Sequence, residues 1–321
     1  MYHFCTLRIF LIFGITNLYA QCSALALKSH ALCATLPPND SLKAAYRTLS
    51  RLEQHPDTIV GAESRTVVAP IEIDTWFHII SGEADAETVT DEMIEFQLSY
   101  LQKAYQNATI SYRLRGVTRS INDTWARNED EIAMKDVLRR GSYRTLNVYF
   151  HTDLQSSPKT GARVTPDIAS RQMVDVSGPP LSNMLGFCTL PDPSVNISSP
   201  RSNYVKDGCN VLAKTMPGGT LRHYNRGGTA IHEIGHWNGL LHTFEGESCS
   251  SENEGDYIAD TPQQSRPTEG CPSQKDSCPG LPGFDAIHNF MDYSSDECYE
   301  SFTPDQIKRM RSMWFAMREG K

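Results

Sequence analysis

Residues 232–242 read HEIGHWNGLLH, and the reading of this stretch decides the fold. Its spacing is H-E-x-x-H-x-x-G-x-x-H. Residues four apart in an α-helix differ by about 40° around the axis and about 6 Å along it. His232 and His236 therefore share a face and can reach one ion. Glu233 lies beside that pair and can hold a metal-bound water without being a ligand. Gly239 is a place for the helix to stop, because glycine accepts the left-handed conformation that ends helices. The chain can then turn and bring His242 back as a third ligand. Three neutral imidazoles with one open position make a catalytic zinc site and not a closed structural one. The competing explanation is a surface helix that happens to carry histidines. Ala230, Ile231, Ile234 and Trp237 argue against it, since they give the helix one buried side with the histidines on another.

Downstream, residues 289–293 read NFMDY. Alone, Met291 would be core filler, because methionine fills irregular gaps. After a long zinc motif it reads as the turn methionine that forms an apolar floor beneath the metal. Tyr293 then carries a hydroxyl toward the metal or a developing oxyanion.

HEIGHWNGLLHTF, GDYIADTP, IHNFMDYSSDEC and FTPDQIKRM together resemble the pappalysin family of metzincin zinc endopeptidases, in particular fungal-type secreted extracellular metalloproteases. The resemblance covers residues 71–310 and is densest after Gly227. It implies that His232, His236 and His242 bind zinc, that Glu233 is the catalytic base and acid, and that Met291 and Tyr293 form the Met-turn. It also favours the disulfides Cys249–Cys278 and Cys271–Cys298, with Cys188–Cys209 as an added loop clamp.

The rest of the chain agrees with an exported enzyme. His3 and Arg8 precede an apolar run at 9–15, and small Ala20 follows, so residues 1–20 read as a signal peptide. An uncleaved anchor is the alternative, but the run is shorter than the roughly eighteen apolar residues that span a bilayer. Of nine cysteines, Cys5 leaves with that peptide. An even number remains, which in an oxidising compartment suggests disulfides. The last four follow the zinc motif in a segment rich in Gly, Pro, Ser and Asp that burial alone cannot hold; spacing alone leaves their three possible pairings open. The net charge of −8, with no basic run, makes nucleic acid and anionic membranes poor partners. A protein or peptide substrate is expected, with no membrane contact after signal removal, and a monomer.

Residues 21–69 read as a leader. Pro37-Pro38 breaks the chain, a helix begins at 41–47 with Ser41 as cap, and 61–66 is a polar linker. A thiolate is a good zinc ligand, so Cys33 could close the open position; a Cys22–Cys33 bridge is the competing expectation. The catalytic domain then spans 70–321, divided into an upper part, 70–240, and a lower part, 241–321. Strands are expected at 71–80, 110–117 and 145–152, helices at 89–105, capped by Thr90, and at 130–139, and weaker strands at 185–188 and 210–213. A long loop at 177–208 borders the cleft.

The expected class is α+β with an α/β-like N-terminal subdomain, of metzincin type. It is a twisted mixed sheet of about five strands with a backing helix and an active-site helix. A small irregular, disulfide-stapled part follows and ends in a helix at 303–318. Met310, Met313, Trp314 and Met317 line one face of that helix as core. Asn39, Asn107, Asn122 and Asn196 begin glycosylation triplets. Asp256 and Asp260 offer carboxylates to a calcium ion, although capping or solvation explains such a pair as well. Two other functions stay open: a secreted binding protein that keeps the zinc fold without turnover, and a metal hydrolase of non-peptide bonds. An intact Glu233 argues against the first and the Met-turn tyrosine against the second.

Overall fold

Alternation at residues 71–80 becomes β1 (Ile71–Ser81), an interior strand of a five-stranded sheet. β2 (Ile110–Ile121) pairs with it on one side and β3 (Leu146–His151) on the other, both parallel. Flanked on both edges, β1 turns from alternating burial at its start to continuous burial over its last five residues. The short strands β4 (Gly186–Cys188) and β5 (Cys209–Leu212) complete the order β2-β1-β3-β5-β4. β5 runs parallel to β3, and β4 is the antiparallel edge. The computed structural model describes residues 32–54, 69–155 and 184–321, so the signal peptide, Cys22, the 61–66 linker and the start of the 177–208 loop lie outside the described residues.

Helix α1 (Asp40–Gln54) precedes the sheet. Its cap is Asn39 and not Ser41: Asn39 Oδ1 accepts from Leu42 N at 2.9 Å and from the Ser41 hydroxyl at 2.8 Å. Asparagine satisfies orphan helix donors as well as serine does, and it sits one residue before the helix starts. Thr90 caps the backing helix α2 (Asp91–Tyr105), accepting from Met93 N. A four-residue helix, α3 (Asp123–Ala126), was not expected; Asn122 caps it. Asp130 caps α4 (Glu131–Leu138). The motif helix α5 (Gly228–Trp237) is buried throughout. The last helix, α6 (Pro304–Met313), opens on a Thr303–Gln306 capping box and runs into a π-helical turn, Trp314–Arg318.

The main core is made by the strands, α2, α5 and α6, with Phe77, Phe150, Trp237 and Met291 all buried. The disulfide Cys188–Cys209 ties β4 to β5, and Cys249–Cys278 and Cys271–Cys298 staple the irregular part. Asp207 is buried against Arg139 and Arg318 and accepts from Trp237 Nε1 at 3.1 Å, which locks the chain's last turn to α5. Of the glycosylation candidates, Asn39, Asn107 and Asn196 are exposed and Asn122 is half-buried.

The sheet carries two buried histidines. His78 contacts Thr118 Oγ1 at 2.8 Å and Asn147 Oδ1 at 3.0 Å. His151 contacts Asn210 Oδ1 at 3.1 Å and Trp125 O at 2.9 Å. Burial pulls each down from 6.5 to about 4. The fold therefore holds the neutral form while the unfolded chain takes up a proton, so their stabilisation is complete above the unfolded value and fades as pH falls through 4. Between pH 7 and 5 each should cost about 2 kcal/mol. Asp256, which burial pushes up to about 7, acts in the opposite direction. The histidine contribution is thus the difference between wild type and His151→Gln in urea denaturation at the two pH values. An equal pH dependence in both would remove this account.

Candidate metal centre

The motif helix ends where glycine allows it. Gly239 has φ 90°, its amide donates to His236 O at 2.8 Å, and Leu240 N donates to Gly235 O at 2.9 Å. That double closure is a Schellman ending, and it redirects the chain so that His242 returns toward the helix. His236 Nε2 lies 3.2 Å from His232 Nε2 and 3.2 Å from His242 Nε2. Met291 is buried under this triad against Gly235, where an added Cβ would meet its sulfur. The turn that holds Met291 is itself fixed, because Asn289 and Gln306 exchange amide hydrogen bonds at 2.8 and 3.1 Å.

The other ring nitrogens settle the tautomers. His232 Nδ1 is 2.7 Å from Phe290 O and His236 Nδ1 is 2.8 Å from Leu240 O. A carbonyl oxygen only accepts, so both Nδ1 atoms carry the proton. Burial, then the neighbouring His242, pulls His232 down to about 3 and His236 well below its ordinary value, so both rings are neutral. Their Nε2 atoms are then lone-pair acceptors facing each other, an arrangement that needs a cation between them. Nitrogens on a tetrahedral zinc, at about 2.0–2.1 Å, are about 3.3 Å apart, and the donor set fits that spacing.

The N-terminal segment brings a cysteine to this triad. Cys33, a free buried thiol, lies with its Sγ 3.5 Å from His236 Nε2 and 3.5 Å from Glu233 Oε2. Cys33 and the three histidines form one group of ligand atoms within 4.8 Å of one another. Burial first, and the charge of Glu233 second, push the thiol well up. Thr35 Oγ1 donates to Glu233 Oε2 at 3.3 Å and accepts from Cys188 N at 2.9 Å. The Tyr293 hydroxyl donates to Cys33 O at 3.1 Å and accepts from Cys33 N at 3.3 Å. Residues 32–34 run along the β4 edge: Leu185 N donates to Leu32 O at 2.7 Å, and Ala34 N donates to Gly186 O at 2.9 Å.

Glu233 is buried, and burial pushes its carboxyl up to about 8 against the hydrogen bonds from Cys33 and Thr35. Its Oε1 has no hydrogen-bond partner among the described residues. A polar oxygen left so, beside three converging imidazoles, faces a place where a guest could form a hydrogen bond with it.

Three contributors escape sequence reasoning. Gly186 has no side chain where a Cβ would meet Glu233 Oε1 at 2.8 Å. Thr35 touches the carboxylate from a distant part of the chain, and Phe244 stacks on His242 with centroids 4.8 Å apart. Only Gly186 left a trace, as a glycine inside a weak strand pattern. Asp256 and Asp260 are brought to different tasks: Asp256 accepts from Thr261 Oγ1 and Ile258 N, whereas Asp260 Oδ2 accepts from Asp305 N at the start of α6. Neither joins a group of candidate ligands among the described residues.

A largely parallel sheet over a buried helix with converging histidines, a carboxylate beside them and a methionine beneath defines a metal-dependent peptidase of metzincin type. The peptidase M43 family model, described as Pregnancy-associated plasma protein-A, matches residues 198–314. An extracellular metalloprotease of Aspergillus oryzae is 73% identical over 100% of both chains. One of Aspergillus fumigatus is 64% identical over 99% of this chain and 98% of its own. Tannerella forsythia mature mirolysin, solved with a cleaved peptide, superposes with a TM-score of 0.57 at 24% identity over 77% of this chain and 93% of its own. Promirolysin from the same organism gives 0.61 at 23% identity over 89% of this chain and 94% of its own. The chain belongs to this family of extracellular metalloproteases with an M43 peptidase domain, and it is a secreted zinc endopeptidase acting on protein or peptide substrates. Among the described residues no helix is long and apolar enough to cross a membrane.

Proposed function

We propose that His232, His236 and His242 hold one catalytic zinc ion, that Glu233 is the proton carrier, and that residues 21–69 are a leader whose Cys33 keeps the enzyme latent before a catalytic domain at 70–321. The observation that carries this is the pair of lone-pair nitrogens 3.2 Å apart with the Cys33 sulfur beside them. Zinc, when bound, polarises the peptide carbonyl and makes water a nucleophile at neutral pH. Glu233 takes the proton of the attacking water and later returns it to the leaving amine. Its buried setting keeps solvent away and strengthens its hydrogen bonds. The Tyr293 hydroxyl, now on the Cys33 carbonyl, would donate to the carbonyl oxygen of a substrate as charge develops there. The free edge of β4 would pair with an extended substrate backbone once residues 32–34 leave it.

The leader reading has separate support. Cys33, Thr35, Leu36 and Pro37 roof a cleft of about 440 Å³ that also touches His236, His242 and other catalytic-domain residues. The likeness to promirolysin spans a larger share of the chain, 89%, than that to mature mirolysin, 77%. No observation favours calcium, and none favours a silent binding protein, which has no physical use for a carboxylate aimed as Glu233 is.

The test is digestion of a denatured protein substrate by the activated enzyme, with its metal measured in the same sample. We expect one zinc per chain, loss of activity on chelation and recovery on adding zinc back. A chelator-resistant digest, or stoichiometric zinc with no peptide released, would reject the assignment.

A further inference from the structure

The described leader touches the catalytic domain in two places, and only one is the cleft. Leu42 and Tyr46 of α1 are buried in a cluster with Leu241, Met313 and Met317, with Leu49 and Tyr257 packed against it. Tyr46 stacks on Tyr257, centroids 5.3 Å apart. Glu53 meets Arg309 of α6 in a two-pronged pair, at 3.1 Å from Nε and 2.9 Å from Nη2. The Arg309 side chain is 1% exposed and that of Glu53 12%. Positions 42, 46, 49 and 53 fall on one helical stripe, the pattern by which an amphipathic helix is read in a groove. The groove is independent of the zinc ligands in chemistry, although Leu241 adjoins His242.

We propose that the groove formed by α6, Leu241 and Tyr257 is a binding site for an amphipathic, glutamate-bearing helix, separate from the catalytic cleft. Its occupant is the leader helix α1, which retains the leader after the chain between Gln54 and the catalytic domain has been cut. This rests on the reading that Cys33 blocks the cleft. The two contacts are adjacent in the chain, with Pro37 and Pro38 between Thr35 in the cleft and the Asn39 cap of α1, so the join is short and stiff. Two weak anchors on a short spacer hold about 10²–10⁴ times more tightly than either alone, because one rebinds before the other lets go. With the helix seated, replacing Glu53 by a neutral residue would leave the covered Arg309 charge without its carboxylate, which weakens the contact. A single cut therefore leaves the enzyme latent, and activation needs a second event that removes the helix from its groove.

The experiment uses the full-length chain, cut once between Gln54 and Ala69, followed by size exclusion and by cleavage of a short fluorogenic peptide. The leader fragment should co-elute with the catalytic domain, and activity should stay low. A synthetic peptide of residues 39–54, which lacks Cys33, should displace it and raise activity at least tenfold. Glu53→Gln and Tyr46→Ala lie on the leader and leave the catalytic domain's own sequence intact; each should speed release at least tenfold. Release at wild-type rate in both variants, or no displacement by the peptide, overturns the proposal. In a Cys33→Ala chain, adding Glu53→Gln should still accelerate release, and no acceleration there counts against the groove. The activity of the cut Cys33→Ala chain reports on the Cys33 plug alone, so the two readings fail separately.

Discussion

Glu233→Gln should yield an activated enzyme that binds zinc, folds and cleaves peptide bonds at least about 10³-fold more slowly. Proton transfer by a positioned side chain contributes about 10²–10⁴ in rate, and in the proposed mechanism one carboxylate serves both as base and as acid. A thousandfold loss is about 4 kcal/mol of transition-state stabilisation. Glutamine matches the shape of glutamate and keeps an oxygen for the hydrogen bond from Thr35, but it cannot accept a proton. The space is preserved too, since Gly186 leaves room for the wild-type carboxylate and for an isosteric amide. Because Glu233 is outside the triad of Nε2 atoms, zinc stoichiometry should be unchanged; metal content and thermal unfolding measured with kcat separate chemistry from folding. Substantial activity in a Glu233→Gln preparation whose mass confirms the substitution would end the assignment.

How far the sequence reveals this centre depends on which kind of proximity makes it. The spacing of His232, Glu233 and His236 is legible because a helix has one period, and the turn at Gly239 is legible because few residues accept φ 90°. β1, β2 and β3 announce themselves by β-branched and aromatic runs, whereas β4 and β5 are three and four residues long and hold their place through Cys188–Cys209 and the sheet beside them. The contacts made by Gly186, Thr35 and Asp207 join elements far apart in the chain. No local pattern encodes them. Asn39 shows a milder limit: two adjacent good caps, Asn39 and Ser41, compete, and the start of α1 is chosen by the packing of Leu42 and Tyr46 on α6.

The same limit explains why Cys33 could be read two ways from sequence, and the alternatives predict different enzymes. With Cys33 replaced by alanine, the full-length chain should cleave a short peptide substrate at least about 10-fold faster than the wild-type precursor before any processing. The alanine leaves the backbone contacts of Leu32 and Ala34 with β4 in place, as well as the α1 contact with α6. Latency should therefore fall without vanishing, and the initial rate must be read while mass spectrometry still shows the leader attached. A thiol that holds the fourth position has two further signatures. The native precursor should resist alkylation at Cys33, buried as it is, and should become reactive there once the chain is denatured in chelator without reductant, because a free thiol is then exposed. A Cys22–Cys33 disulfide would instead stay unreactive under both conditions and would appear as a linked peptide pair. The alanine variant adds a kinetic consequence: autocatalytic loss of the leader should begin without the lag of the wild type, since opening the cleft no longer waits for the sulfur to leave. An alanine precursor as silent as wild type, with its leader intact and its zinc bound, would show that the backbone strand and not the thiol enforces latency.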